Sequence, residues 1–152
     1  MSIAKRLSEL GVTLPQVVAP LASYVPSVRS GNLVWTSGQL PFVDGALAVT
    51  GKVGAEVDAD TAKSLARTCA LNAIAAIHAE FGDLDRVRRV VKVVGFVASD
   101  PSFTGQPGVI NGASEFLGEV FGDLGRHARS AVGVAVLPLD APVEVEVVVE
   151  VD

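Results

Sequence analysis

Residues 127–152 read HARSAVGVAVLPLDAPVEVEVVVEVD. Valines recur at every second position on both sides of Leu137-Pro138, alternating with small residues before it and with acids after it. A period of two is the signature of a strand with one buried face, so the stretch predicts two strands joined by a short loop containing Pro138 and Pro142, paired antiparallel. Arg129 stands at the head of the first strand, where an apolar residue would suit a sheet core. Glu144 stands near the start of the second. Two readings of the pair are open. Arg129 can neutralise Glu144 or Glu146 across the strands, or its guanidinium fork can hold a planar anion with two parallel charge-assisted hydrogen bonds. Likewise Glu144, Glu146 and Glu150 share one parity and can simply line a wet face, or Glu144 can position or deprotonate a water molecule.

Upstream, VRRVVKVVGFVAS (87–99) is rich in valine and predicts another strand. Two long helices flank it. In DADTAKSLARTCALNAIAAIHAEFGDL (58–84), Asp58 or Asp60 can cap, Ala62, Ala66, Ala70, Ala73, Ile77 and Phe81 form one stripe, and Gly82 stops the helix. GVINGASEFLGEVFGD (108–123) is a second helix, less ideal for its Gly112 and Gly118. YVPSVRSGNLVWTSGQLP (24–41) reads as two short strands meeting at Ser30-Gly31-Asn32, and Asp44-Gly45 marks another turn. SIAKRLSELG (2–11) is a short amphipathic helix with Ser2 as its cap and Gly11 as its stop. The intervening VTLPQVVAPLA (12–22), broken by Pro15 and Pro20, is extended loop. The order of elements predicts an α+β fold, a mixed sheet covered on one face by two long helices with an extra short N-terminal helix, in a single domain over residues 1–152.

Bulk composition excludes several classes. The chain is 49% apolar and 19% charged with a formal charge of −5, which fits a globular fold and gives no basic field for nucleic acid. One cysteine, Cys69, rules out an internal disulfide, and two histidines leave little for a metal centre. No apolar run reaches the roughly 18 residues of a membrane span, and the N-terminus lacks a signal-peptide pattern; a cytoplasmic location is expected. The apolar surplus suggests subunit contacts. RVRRVVKVV, with Arg86, Arg88, Arg89 and Lys92, invites an RNA reading, but without interleaved aromatics it is a solvated junction. His127 reads as a surface histidine, and Cys69 and His78 as structural.

RSAVGVAVLPLDAPVEVE (129–146) resembles the Arg-Ser-x-Val-x-Val-x-x-Leu-Pro and Val-Glu-x-Glu signature of the RidA/YjgF family, within the chorismate-mutase-like fold group. TSGQLP (36–41), the tyrosine of ASYVPS (22–27) and VINGASEFL (109–117) stand in the matching order, and GRHARSAVG (125–133) with the N-terminal helix is similar to a longer subgroup labelled endoribonuclease L-PSP. The resemblance implies a homotrimer with each active site between two subunits. It implies a 2-iminobutanoate/2-iminopropanoate deaminase-type hydrolase that turns enamine/imine acids into 2-oxo acids and ammonia, with no cofactor and no metal. Carried onto this chain, it makes Arg129 the carboxylate holder, Glu144 the water-associated acid, and Tyr24 and Asn111 cleft residues. Ser37, Gly38 and Gln39 would shape the cleft floor through backbone N–H groups, and the backbone at Ala131 would bind the amino group or the water. Ala131 replaces the cysteine common in the family, and Ala22-Ser23 replaces its Gly-Pro. The insertions AVTGKVGAEV (48–57) and GDLGRHA (122–128) would reshape the expected cleft. The alternatives are a non-catalytic trimer that binds small carboxylates, and a weak endoribonuclease.

Overall fold

The computed structural model describes residues 1–17 and 22–152; part of the loop expected at 12–22, with Pro20, lies outside the described residues. Helix α1 (Ile3–Glu9) is capped by Ser2, whose Oγ accepts from the Lys5 N–H. Strands β1 (Ser27–Ser30) and β2 (Leu33–Thr36) form the expected hairpin. Its two-residue turn places Gly31 at φ 60°, a conformation that glycine adopts without steric cost. Helix α2 (Ala59–Phe81) takes Asp58 as its N-cap and ends at Gly82. The remaining elements are β3 (Val87–Ala98), α3 (Gln106–Phe121), β4 (Ala128–Val134) and β5 (Val143–Val151).

The strands form one mixed five-stranded sheet in the order β1-β2-β5-β3-β4. β4 does not pair with β5, contrary to the antiparallel expectation. It lies parallel to β3, with Val93 opposite Arg129 and Gly95 opposite Ala131. β5 instead runs antiparallel between β2 and β3. The reason is visible in the chain. A helix separates β3 from β4, and such a crossover returns a strand parallel to its predecessor. β5 carries Val147, Val148 and Val149 in succession, all buried, a run that suits a central strand, whereas the exposed Ala128 and Gly133 suit an edge.

Helices α2 and α3 cover one face of the sheet. Val34, Val93, Val97, Val145, Val147 and Val149 meet Ala66, Ala70, Ile74, Ile77, Ile110 and Phe116 in the main core. Gly112 is the point of closest approach between the helices: a Cβ there would sit 2.9 Å from the Lys63 carbonyl carbon and nearer still to its oxygen. The helical penalty of this glycine is thus offset by packing. The crossing is flanked by Arg67–Glu119 at 2.7 Å and Lys63–Glu115 at 3.2 Å. Phe81, at the end of the expected apolar stripe, is half-buried, and the guanidinium groups of Arg29 and Arg86 lie over its ring.

The other face is closed at one end by a small cluster of Leu40, Ala98, Leu137 and Ala141. Beyond that cluster it stays open. Register places Val28, Trp35 and Val148 in one row, with Val94 and Val132 farther along the same face. Val28 and Trp35 are each 51% exposed and Val132 45%. Among the described residues no helix is long and apolar enough to cross a membrane.

Candidate functional site

Arg129 shares the helix-facing side of β4 with Ala131, because paired residues of adjacent strands point the same way and Val93 is fully buried beneath the helices. Its guanidinium reaches α3. Nη1 donates to Asn111 Oδ1 at 2.8 Å and to Ser114 Oγ at 3.2 Å, and Nη2 donates to the Pro107 carbonyl at 3.3 Å. Pro107, Asn111 and Ser114 fall at i, i+4 and i+7, one stripe of the helix. Every acceptor is neutral. Among the described residues Arg129 makes no ion pair, so neither Glu144 nor Glu146 neutralises it. A guanidinium has five N–H donors. With three engaged, the Nε–H and one Nη2 N–H remain without an acceptor among the described residues.

Ser114 was not singled out in the sequence, and His127 was read as a surface residue. The structure corrects both. His127 is half-buried, its Nδ1 lies 2.6 Å from the Gly125 carbonyl, and its Nε2 lies 2.9 Å from Ser114 Oγ. The available signal was Ser114 three residues after Asn111, on the same helix face.

Glu144 stands elsewhere. Its cross-strand partner is Phe96, on the opposite face of the sheet from Arg129, and β3 lies between their strands; the lateral offset is roughly 10 Å. Between the Trp35–Val148 pair and the Gln39–Val145 bridge, the β2 side has one residue more than β5. This bulge re-aims the chain. Thr36 Oγ1 bridges the gap by accepting from the Val147 N–H at 3.0 Å. Gly38 occupies the bulge, and Glu144 packs directly on it: an added Cβ would meet Glu144 Cδ at 2.7 Å and Cγ at 3.0 Å, with Oε1 closer. Burial in this niche, reinforced by the neighbouring Glu146 charge, raises the Glu144 pKa above the usual carboxylate range.

The amides of Ser37 and Gln39 are engaged within the chain. The Ser37 N–H is taken by Pro26 O at 2.8 Å and the Gln39 N–H by Val145 O at 2.8 Å. Ser37 Oγ also donates to Val25 O at 2.6 Å, which ties the Tyr24 segment beside the bulge. Tyr24 itself is 47% exposed rather than part of the core. Asn72 on α2, which sequence reading passed over, holds the chain beyond the bulge through Nδ2 to the Leu40 and Phe42 carbonyls at 3.0 and 3.1 Å. Leaving Gln39 with its Val145 bridge aside, the other seven candidate residues fall into two groups in one protomer. Arg129, Asn111 and Ala131 stand at the α3–β4 edge, and Tyr24, Ser37, Gly38 and Glu144 at the bulge of β2.

A family model described as “YjgF/chorismate_mutase-like, putative endoribonuclease” matches residues 4–151. The chain belongs to this family. Protein TCP17 of Trypanosoma cruzi is 48% identical over 151 residues, covering 99% of this chain and 94% of that protein. The crystal structure of Atu1372 from Agrobacterium tumefaciens, described as of unknown function, superposes with a TM-score of 0.92 at 52% identity, over 99% of this chain and 92% of that one. A “putative endoribonuclease” from Shewanella oneidensis superposes at 0.96 with 32% identity, over 99% and 100% of the two chains.

Other residues carry little chemistry of this kind. Cys69 is fully buried, and desolvation, with the Glu144 charge as a lesser cause, raises its thiol pKa well above the ordinary value, so it stays protonated. His78 is exposed near the end of α2. Arg86 and Arg88 of the basic stretch both bond the Asp152 carboxylate. Among the described residues no group of three or more His, Cys, Asp or Glu side chains is placed to hold a metal ion.

Proposed function

We propose that this YjgF-family chain hydrolyses small enamine/imine acids to 2-oxo acids and ammonia in clefts formed between subunits of a homotrimer. The observation that carries the reading is the Arg129 guanidinium, which is held in place by Asn111, Ser114 and Pro107 while keeping its charge and one edge of its fork for an incoming carboxylate. An imino acid docked there presents its C=N carbon to a water molecule.

Glu144 holds that water. Burial raises its pKa, which makes it a better proton acceptor than an ordinary carboxylate. In one protomer Arg129 and Glu144 face opposite sides of the sheet. A cleft between subunits brings the Arg129 edge of one copy to the Glu144–Gly38 niche of the next. The open apolar face around Val28, Trp35 and Val132 supplies the surface for that association. Holding substrate and water in attack geometry supplies most of the acceleration, since the protonated imine carbon is already electrophilic. Tyr24 walls the cleft, and the Ala131 backbone faces the amino group.

The test couples an amino-acid dehydratase to the protein and follows 2-oxo acid release. Wild type should accelerate release and Arg129→Ala should not; removal of one partner from a desolvated charge pair costs roughly 2–5 kcal/mol. Equal rates with and without wild-type protein would refute catalysis. Retained binding of small carboxylates in that event would support the reading of the same arginine as a non-catalytic binding site. An RNA-cleaving reading has less support, because Arg86 and Arg88 are occupied by Asp152.

A further inference from the structure

His127, Ser114 and the Gly125 carbonyl form a chain of which the proposed imine chemistry uses only Ser114, as an acceptor that steadies Arg129. A carbonyl oxygen only accepts, so the 2.6 Å contact with Gly125 requires the hydrogen on His127 Nδ1. In the neutral ring Nε2 is then a lone pair, and the Ser114 hydroxyl must donate to it across 2.9 Å. Arg129 Nη1 donates to the same oxygen at 3.2 Å and stabilises negative charge as it develops there. A hydroxyl pointed at a base that is itself oriented by a third group is the arrangement of an activated nucleophile. The pair opens on a shallow cleft of about 560 Å³, lined by Ser114 and His127, by Gly118, Gly122 and Gly125, and by the charged side chains of Asp123 and Arg126. The Nε edge of Arg129, on which the imine reading depends, is not among the atoms this chain engages.

We propose that Ser114 is an acyl-accepting nucleophile with His127 as its base, giving the protein a hydrolase activity on small activated carboxylic esters. Ser114 Oγ attacks the ester carbonyl as its proton passes to His127 Nε2. The C–O bond to the alcohol breaks, and His127 returns the proton to the departing alkoxide. Water, deprotonated by the same nitrogen, then cleaves the acyl-serine to the free acid and restores the hydroxyl.

The experiment treats the full chain with a fluorophosphonate probe and, separately, with p-nitrophenyl acetate. A single phosphonylated site mapping to Ser114, absent from Ser114→Ala, is expected. Labelling should slow at least about 100-fold in His127→Gln, the size of a typical general-base contribution, with ester hydrolysis falling in parallel. Melting curves establish that both variants remain folded. No adduct on wild-type protein overturns the proposal, as does an adduct that persists in Ser114→Ala or a rate unchanged in His127→Gln. Failure of the imine assay alone leaves this result standing, since the probe reads Ser114 directly.

Discussion

Gly38→Ala separates stability from activity more sharply than removal of any candidate side chain. Gly38 is not among the glycines with positive φ, so alanine fits the backbone and reduces the freedom of the unfolded chain, a gain of about 0.4–1 kcal/mol. Against this, the new methyl would stand 2.7 Å from Glu144 Cδ and 3.0 Å from Cγ. What it meets is the end of a flexible side chain, so Glu144 swings out instead of the sheet deforming. Overpacking usually costs about 1–3 kcal/mol, and here the expelled carboxylate recovers solvation. The net loss should stay below about 2 kcal/mol. Activity responds differently. A displacement of about 1 Å in a positioned group can cost on the order of 100-fold in rate, and Glu144 must move at least that far. Dehydratase-coupled 2-oxo acid release and a thermal melt, run side by side, check both expectations. An NMR titration of the Glu144 carboxyl supplies a third reading, since loss of desolvation should return its pKa toward the ordinary range. Wild-type rates in a variant whose Glu144 pKa has fallen would refute the role assigned to the niche.

The remaining expectations concern charge, packing and assembly. Because the folded-state pKa of Glu144 is raised, the native protein holds that proton where the unfolded chain has released it, and stability falls as pH rises through the window above the ordinary carboxylate value. Glu144→Gln should therefore melt higher than wild type at neutral pH, the two converging below that window; a variant less stable at pH 7 contradicts the assignment. Gly112→Ala drives a Cβ into the Lys63 carbonyl, which is backbone and cannot rotate away, so denaturant titration should show a loss at or above the upper end of the usual 1–3 kcal/mol for overpacking. Trp35→Glu places a charge on the open sheet face while leaving the buried Val34 side untouched; sedimentation should show a trimer giving way to monomer, and an unchanged assembly would remove that face from the interface.

Much of the architecture could be read locally. The cap of α2 (Asp58, one of the two acids the sequence offers), its alanine stripe, the Gly31-Asn32 turn and the valine alternation of β5 each depend on residues within a few positions of one another, and each lies where the local pattern puts it. Strand neighbours were a different matter. β4 and β5 are consecutive in the chain and share a pattern, yet the α3 crossover sets β4 beside β3 and leaves β5 between β3 and β2. That one change of partner removes the cross-strand ion pair, one of the two readings open in the sequence, because it carries Arg129 and Glu144 to opposite faces. The Gly38 bulge had no local marker either, since Ser-Gly-Gln is also an ordinary turn; it follows from one extra residue between two pairings more than a hundred positions apart in sequence. Ser114 and His127 acquire meaning only through contacts with Arg129 and Gly125. Periodicity and capping are properties of the backbone over one or two turns and are written in the sequence. Which polar groups meet is decided when distant elements bury their apolar faces together, so the hydrogen bonds around Arg129 belong to the tertiary structure alone.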